Sequence, residues 1–131
     1  MTQVKEMTNP ELNRKLAELM GWTIRHYKYT DSYVLVTPQG KTGSREGTKV
    51  EAWSDGPDYC TDPAASLEVQ EAAIARDKDD YLNNLTGVVA GYYPKSINWD
   101  IEWENDVIAL LLTASPRERA EAAYQTLQEE S

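Results

Sequence analysis

The glycine-rich segment 38–48 contains the residues of this chain that are best suited to bind an anion. It reads Pro-Gln-Gly-Lys-Thr-Gly-Ser-Arg-Glu-Gly-Thr and includes two cations, Lys41 and Arg45. Glycines leave backbone N–H groups accessible, and such groups can hold an anion together with cationic side chains. With Tyr27 as an aromatic neighbour, these residues are predicted to bind a small anionic, nucleotide-like ligand. The alternative is a flexible surface loop, because glycine-rich connections are commonly turns.

A nucleotide triphosphatase is excluded, although Gly40-Lys41-Thr42 matches the end of a P-loop. The full motif requires another glycine at the position that Leu35 occupies here. It also requires a helix directly after the motif, and no helical pattern follows at this point. An anion bound in this segment is therefore expected to be held without being hydrolysed.

Three carboxylates alternate with apolar residues in the segment 97–104. If this segment is a strand, Asp100, Glu102 and Glu104 lie on one face at steps of about 7 Å. That face could dock a basic host protein, or it could bind a cation and support a metal-assisted hydrolase. It could also simply face solvent, where neighbouring like charges cost little. A binding function is favoured, with the hydrolase as the alternative.

His26 and Cys60 are the only histidine and the only cysteine in the sequence. His26 could act as a general base near neutral pH, and Cys60 could act as a nucleophile if the two side chains met. They lie on separate predicted elements, so two structural residues are the favoured interpretation. The sequence has no Cys/His cluster for zinc, and the aspartates between 55 and 62 lack the spacing of a calcium loop. No metal and no cofactor is predicted.

The chain is acidic, with a formal net charge of −9 over 131 residues. The charge is uneven, because residues 1–50 carry a net +3 and residues 51–131 carry a net −12. This balance opposes general binding to nucleic-acid phosphates and suits a basic partner. No apolar run is long enough to span a bilayer, the first residues do not form a signal peptide, and one cysteine fits a reducing compartment. We therefore expect a cytoplasmic protein without membrane association.

Aromatic residues with a polar group are unusually frequent, since the chain has eight Tyr and four Trp but no Phe. Phenol and indole groups seek hydrogen-bond partners when buried, so they favour partly wet surfaces and interfaces. Packing between sheet and helices explains some of them. The others are consistent with a ligand pocket or with an interface in a homo-oligomer.

Proline marks three predicted helix starts, at Asn9-Pro10, Asp62-Pro63 and Ser115-Pro116. In each pair a capping residue precedes a proline, whose missing N–H would be unpaired in the first turn anyway. Apolar spacing extends these helices. Their predicted ranges are about 10–20, about 63–88 with a charged interruption at 77–80, and from 116 to the last apolar residues.

Alternating or apolar runs predict five strands. They are 22–27, 33–37, 49–53, 97–103 and 107–112, with a short helix as the alternative for the last. The first two strands are expected to form a hairpin. Hairpin connections and amphipathic helices together predict an α+β fold with a mostly antiparallel sheet. One domain is expected over residues 1–131, with a flexible N-terminal segment at residues 1–8.

Three segments resemble the phage ABA sandwich domain family, a family of small phage and prophage proteins. The segments are Met20-Gly21-Trp22, residues 57–65 and residues 114–123, which together frame about 9–128. The resemblance implies helices packed on both faces of one sheet, an α-β-α sandwich, and a phage or prophage source. It implies no catalytic residue. Segment 38–55 and the acidic run 77–80 depart from the family pattern, so a specialised function could reside there.

The sequence thus predicts a small phage or prophage protein that works by binding and has no enzymatic activity. It would antagonise host defence in the host cytoplasm by sequestering either a host protein or an anionic nucleotide-like ligand. The acidic face at Asp100, Glu102 and Glu104 is the predicted surface for a host protein. Lys41, Arg45 and Tyr27 are the predicted ligand-binding residues.

Overall fold

A helical core and a small antiparallel sheet make up the described part of the protein. The computed structural model describes residues 3–91 and 105–128. In chain order the elements are a 3₁₀-helix Val4–Glu6, α1 Asn9–Leu19, β1 Thr23–Tyr27, β2 Ser32–Val36, β3 Thr42–Glu46, α2 Lys49–Ser54, α3 Pro63–Ala90, α4 Asn105–Leu112 and α5 Pro116–Leu127. The predicted α+β class is confirmed, since antiparallel strands and helices are both present.

Two of the three predicted helix caps are confirmed. The Asp62 carboxylate accepts a hydrogen bond from the Ala64 N–H at the start of α3, with Pro63 in the first turn. Ser115 caps α5 in a full capping box, in which the Ser115 hydroxyl and the Glu118 carboxylate each accept the other residue's backbone N–H. These helix starts follow from local chemistry alone.

The cap predicted at Asn9 is wrong by one residue. Thr8 caps α1 by accepting a hydrogen bond from the Glu11 N–H at 3.2 Å, so Asn9 is already helical. The side-chain oxygen of Asn9 instead accepts a hydrogen bond from Arg117 at 2.8 Å. Arg117, which is distant in sequence, therefore binds the Asn9 side chain that was expected to cap the helix.

The main hydrophobic core lies between α1, α3 and α5. Leu12 and Leu16 of α1 are completely buried, as the predicted apolar stripe requires, and so is Val69 of α3. From α5 the core receives alanines, including the fully buried Ala120 and Ala123. Because alanine has no side chain beyond Cβ, α5 can pack close to α3. The core is therefore narrow between α3 and α5, and these two helices pack closely against each other.

Arg117 ties the N-terminal segment to this core. Its guanidinium donates hydrogen bonds to the carbonyl oxygens of Val4 at 3.0 Å and Met7 at 2.8 Å. It also donates to the Glu121 carboxylate at 2.7 Å. The side chains of Val4 and Met7 are both buried. The flexibility expected for residues 1–8 stays a prediction, and within that segment these two residues belong to the core.

The sheet has the strand order β1-β2-β3, and both neighbouring pairs are antiparallel. The predicted hairpin between β1 and β2 is confirmed, with Tyr27 opposite Ser32 and Thr23 opposite Val36. The pairing of β2 with β3 has a shift in register between Val34 and Val36. The central strand β2 is the most buried, since Val34, Leu35 and Val36 are all buried.

The prediction of an irregular loop at 38–48 is wrong, because β3 occupies its second half. Thr42–Glu46 pairs with β2 although most of its side chains are exposed. A strand exposed in this way does not need apolar alternation, so its sequence resembles a loop. Backbone pairing with the apolar β2 determines the conformation here.

The strand predicted at 49–53 is also wrong, because Lys49–Ser54 forms α2. The Thr48 hydroxyl caps this helix by accepting the Glu51 N–H at 3.1 Å. Val50 and Ala52 produced the apparent alternation, but Val50 is 77% exposed whereas Ala52 is fully buried. Two apolar residues are too few to distinguish a strand from one turn of helix.

The charged interruption predicted within the second helix is confirmed as a break in α3. Asp77 has extended backbone angles (φ −161°, ψ 94°) between two helical stretches. Its carboxylate accepts the Asp80 N–H at 3.1 Å, as a helix cap does. Gly91, with φ 83°, then ends the helix in the left-handed region.

The buried strand predicted at 107–112 is wrong, because Asn105–Leu112 is α4. The run of apolar residues is compatible with either structure, and the eight residues of α4 permit two helical turns. Leu112 is 79% exposed, and Ile108 and Leu110 are each about 40% exposed. The run is therefore not a core strand. The strand predicted at 97–103 lies outside the described residues.

Candidate functional site

The sheet places Arg25, Tyr27 and Arg45 on one face. Arg25 of β1 and Arg45 of β3 are both directly opposite Val34 of the central strand. Tyr27 lies two residues beyond Arg25 on β1, and side chains two residues apart in a strand point to the same face. The three side chains therefore share a surface above β2. We call them the Arg–Tyr–Arg cluster.

Tyr27 is the centre of the Arg–Tyr–Arg cluster. The Arg45 guanidinium carbon lies 5.0 Å from the centre of the Tyr27 ring, which is a cation–π contact. Arg25 Nη1 donates a hydrogen bond of 3.4 Å to the Tyr27 hydroxyl. Because β2 separates the strands of Tyr27 and Arg45, the contact between them spans the central strand. Val34 beneath is only 3% exposed.

The guanidinium groups of this cluster have no carboxylate counter-ion among residues 3–91 and 105–128. Arg14 pairs with Glu18 and Arg117 pairs with Glu121, whereas neither Arg25 nor Arg45 lies in such a pair with a described carboxylate. Two like charges beside the same ring repel each other, and a bound anion would relieve that repulsion. Arginine binds carboxylate and phosphate groups through paired N–H donors. The arrangement is chemically suited to an anion.

The structure brings together two of the three predicted ligand-binding residues. Tyr27 and Arg45 are in contact, whereas Lys41 precedes β3 and lies beside Thr37, whose hydroxyl accepts the Lys41 backbone N–H at 3.0 Å. Four residues of extended chain separate Lys41 from Arg45 by about 13 Å. Lys41 therefore occupies the other end of β3.

Sequence reasoning missed Arg25. A usable signal was present, since Arg25 and Tyr27 are two residues apart in a predicted strand and so share a face. What could not be deduced was the pairing of β3 beside β2. That pairing places Arg45 across from Arg25.

His26 and Cys60 have no partner in common. His26 Nε2 lies 3.0 Å from an oxygen of Asp31, and its ring stacks on Tyr33 at 4.5 Å between centroids. Cys60 is buried, and its sulfur contacts Arg117 at 3.8 Å. Burial raises the pKa of the Cys60 thiol to about 11, although Arg117 partly opposes the shift. A protonated, buried thiol is a poor nucleophile.

Two aspartates near the start of α3 accept hydrogen bonds from groups within the protein. Asp58 accepts hydrogen bonds from the Thr61 hydroxyl and from Asn13 Nδ2, the latter at 3.0 Å. The Thr61 bond, more than that of Asn13, lowers the pKa of Asp58. Asp62 caps α3. These contacts account for two of the three aspartates without a metal ion.

A carboxylate pair lies where β3 meets α2. A hydrogen bond with the Asp55 side chain raises the pKa of Glu46, and burial and the negative charges of Asp55 and Glu51 act in the same direction. A hydrogen bond to Asp55 favours the protonated form of Glu46, and neighbouring negative charges disfavour its ionised form. No group of three or more His, Cys, Asp or Glu side chains arranged to hold a metal ion occurs within the described ranges.

The acidic face predicted at Asp100, Glu102 and Glu104 lies outside the described residues. Docking of a host protein there and the metal-assisted hydrolase both stay predictions. Likewise, homo-oligomer formation is not addressed by the described contacts. The Arg–Tyr–Arg cluster is therefore the candidate site that can be argued from geometry.

Comparison with known proteins provides no family for this chain. It matches no protein-family model, and no curated protein or solved structure is significantly similar to it. Within residues 3–91 and 105–128, none of the helices has both the length and the apolar character that crossing a bilayer demands. The function must therefore be argued from the site.

Proposed function

We propose that this protein is a non-enzymatic binding protein whose sheet holds a small anionic, nucleotide-like ligand. The observation that carries the proposal is the pair of guanidiniums, Arg25 and Arg45, held against one Tyr27 ring without a carboxylate partner in the described part of the chain. Charge-assisted hydrogen bonds from guanidiniums to an anion are among the stronger polar contacts.

The charge distribution supports an anionic ligand at this location. Residues 1–50, which contain all three strands of the described residues, carry a net +3, whereas the rest of the chain carries −12. A small anion is therefore attracted to the sheet and repelled elsewhere. A long nucleic acid would meet the acidic surface as well, so a small ligand fits better than a polymer.

The proposal includes a phage or prophage source for the protein and a role against host defence. Resemblance to the phage ABA sandwich domain family supports a phage or prophage source and an α-β-α sandwich architecture. A phage protein that sequesters a nucleotide-like ligand in the host cytoplasm would antagonise a host defence that uses such a ligand. The proposal assigns no cofactor and no chemical step.

Isothermal titration calorimetry with ATP, ADP and AMP at low ionic strength tests this function. We expect at least one nucleotide to bind, with affinity that falls as salt is added. Arg45→Gln should weaken binding at least tenfold. Arg14→Gln is the matched control, because Arg14 is an exposed arginine on α1 paired with Glu18, and it should leave the affinity within twofold.

Two results would overturn the proposed function. One is that none of the three nucleotides binds to the wild-type protein. The other is that mass spectrometry finds the nucleotide converted to a product after incubation, and that this conversion disappears in Arg45→Gln. A circular dichroism spectrum matching that of the wild type ensures that each variant is folded.

A further inference from the structure

We propose that the Arg–Tyr–Arg cluster recognises a terminal phosphoryl group, the dianion of a phosphomonoester, rather than a nucleobase or a phosphodiester. This inference rests on the proposed function and specifies the part of the ligand that is bound. Three features support it. Arg45 covers the Tyr27 ring, the Tyr27 hydroxyl can still donate a hydrogen bond, and two arginines supply two positive charges.

One face of the Tyr27 ring is already occupied by an arginine side chain of the protein. Arg45 covers the ring with its guanidinium carbon 5.0 Å from the centroid. A nucleobase cannot stack on the ring face that the guanidinium occupies. His26 and Tyr33 lie on the opposite face of the sheet, where their rings stack on each other. On the face of the sheet that carries the cluster, Tyr27 therefore orients two cations, and one face of its ring is already covered.

The Tyr27 hydroxyl is oriented so that it can add a donor. It accepts a hydrogen bond from Arg25 Nη1 at 3.4 Å, and a phenol that accepts in this way still has its own O–H to donate. Phosphoryl oxygens are strong acceptors. The guanidiniums and the hydroxyl thus supply hydrogen-bond donors to a single anionic group.

The charge count distinguishes a monoester from a diester. A phosphomonoester carries a charge of about −1.5 to −2 near neutral pH, whereas a diester carries a single negative charge. Arg25 and Arg45 together supply two positive charges in the absence of a paired carboxylate within the described residues. A dianion neutralises both, and a diester leaves one uncompensated.

Competition calorimetry with matched ligands tests this inference. AMP is the monoester, cyclic AMP the diester and adenosine the uncharged base, while glycerol phosphate presents a phosphoryl group without a base. We expect AMP to bind at least tenfold more tightly than cyclic AMP, and glycerol phosphate to bind within tenfold of AMP. Adenosine should show no heat of binding.

Substitutions within the Arg–Tyr–Arg cluster test whether these residues produce the preference for AMP over cyclic AMP. Arg25→Gln should reduce the preference for AMP over cyclic AMP to less than threefold, whereas Arg14→Gln should preserve it. Tyr27→Phe keeps the ring beneath Arg45 and removes the hydroxyl, so it should weaken AMP binding about threefold. If Arg25→Gln does not fold, Arg25→Met, which also removes the charge and keeps a long side chain, provides the same comparison.

The outcomes separate the two proposals. Cyclic AMP binding as tightly as AMP, or AMP binding more than tenfold better than glycerol phosphate, would overturn phosphoryl recognition and leave nucleotide binding intact. If ATP, ADP, AMP and glycerol phosphate all fail to bind, both proposals are wrong. Binding of glycerol phosphate alone would support the phosphoryl site and reject a nucleotide as its ligand.

Discussion

The hydroxyl of Tyr81 donates a 2.8 Å hydrogen bond to Gln70 Oε1 across the break in α3. The two residues are eleven positions apart, and in a straight helix this separation corresponds to about 16 Å along the axis. The two side chains together cannot span that distance. The bond therefore requires the bend at Asp77, which brings the two halves of α3 towards each other.

Removing this hydroxyl should destabilise the protein. Tyr81 is 1% exposed, and burial raises its pKa, so the hydroxyl stays a protonated donor at any physiological pH. Tyr81→Phe leaves Gln70 without this partner and should lower the free energy of unfolding by about 1–2 kcal/mol. Urea denaturation followed by circular dichroism measures the change. Tyr29→Phe, at a fully exposed tyrosine, should have no effect, and equal stability of both variants would show that the bond contributes nothing.

Two arginine–glutamate pairs with the same spacing should differ greatly in their contribution to stability. Arg117 and Glu121 are 22% and 14% exposed and 2.7 Å apart, whereas Arg14 and Glu18 are about half exposed and 3.5 Å apart. Arg117→Gln breaks a mostly buried pair and should cost about 3 kcal/mol. Arg14→Gln should cost less than about 0.5 kcal/mol.

Hydrogen exchange localises the effect of Arg117. Because Arg117 donates to the carbonyls of Val4 and Met7, its replacement should speed exchange of amides in residues 4–7 more than in the centre of α1. Uniform acceleration throughout the molecule would contradict a specific anchoring of the N-terminal segment.

Glu46 should make stability depend on pH. Its pKa is raised in the folded state above the ordinary value of 4.5, first by the hydrogen bond with Asp55. Folding therefore favours the protonated form, so this contribution is present below the unfolded pKa and is lost as pH rises through the folded pKa. Glu46→Gln keeps a donor towards Asp55 and should raise the melting temperature at neutral pH.

The control for this prediction is the exposed Glu71 of α3. Melting curves of Glu46→Gln, Glu71→Gln and the wild type at acidic and neutral pH measure the difference. The gain from Glu46→Gln should shrink at acidic pH, where Glu46 is protonated in the wild type. A gain that is the same at both pH values would contradict a raised pKa of Glu46 in the folded protein.

Cys60 should resist modification in the folded protein. With a pKa of about 11, roughly one thiol in a thousand is ionised at pH 8. Its sulfur is also buried and contacts Arg117 and the Asn9 carbonyl. Alkylation by iodoacetamide, followed by mass spectrometry, should be slow in buffer and fast in denaturant. Rapid alkylation of the folded protein would show that the thiol is accessible.

Helix starts could be predicted from the sequence because their determinants are only a few residues apart. Asp62 and Ser115 each place a side-chain oxygen beside unpaired N–H groups of the following turn, and neither contact depends on the rest of the chain. The hairpin of β1 and β2 is local in the same way. Asn9 shows the limit, because Arg117, more than a hundred residues away, takes its side chain.

The candidate site was predicted in part for a corresponding reason. The types of Tyr27 and Arg45 suggested anion binding, and this chemistry can be inferred from single residues. Their contact and the addition of Arg25 depend on β3 pairing with β2, which no local pattern indicates, because the exposed Thr42–Glu46 carries no apolar alternation.

The sequence by itself therefore determined the caps of α3 and α5, the first hairpin, the break at Asp77 and the net negative charge of the chain. Each of these follows from neighbouring residues or from composition. Tertiary structure alone decided that Lys49–Ser54 is a helix, that Thr42–Glu46 is a strand and that two arginines meet at one tyrosine ring. Such outcomes depend on which distant surfaces are buried together, and burial is a property of the folded chain as a whole.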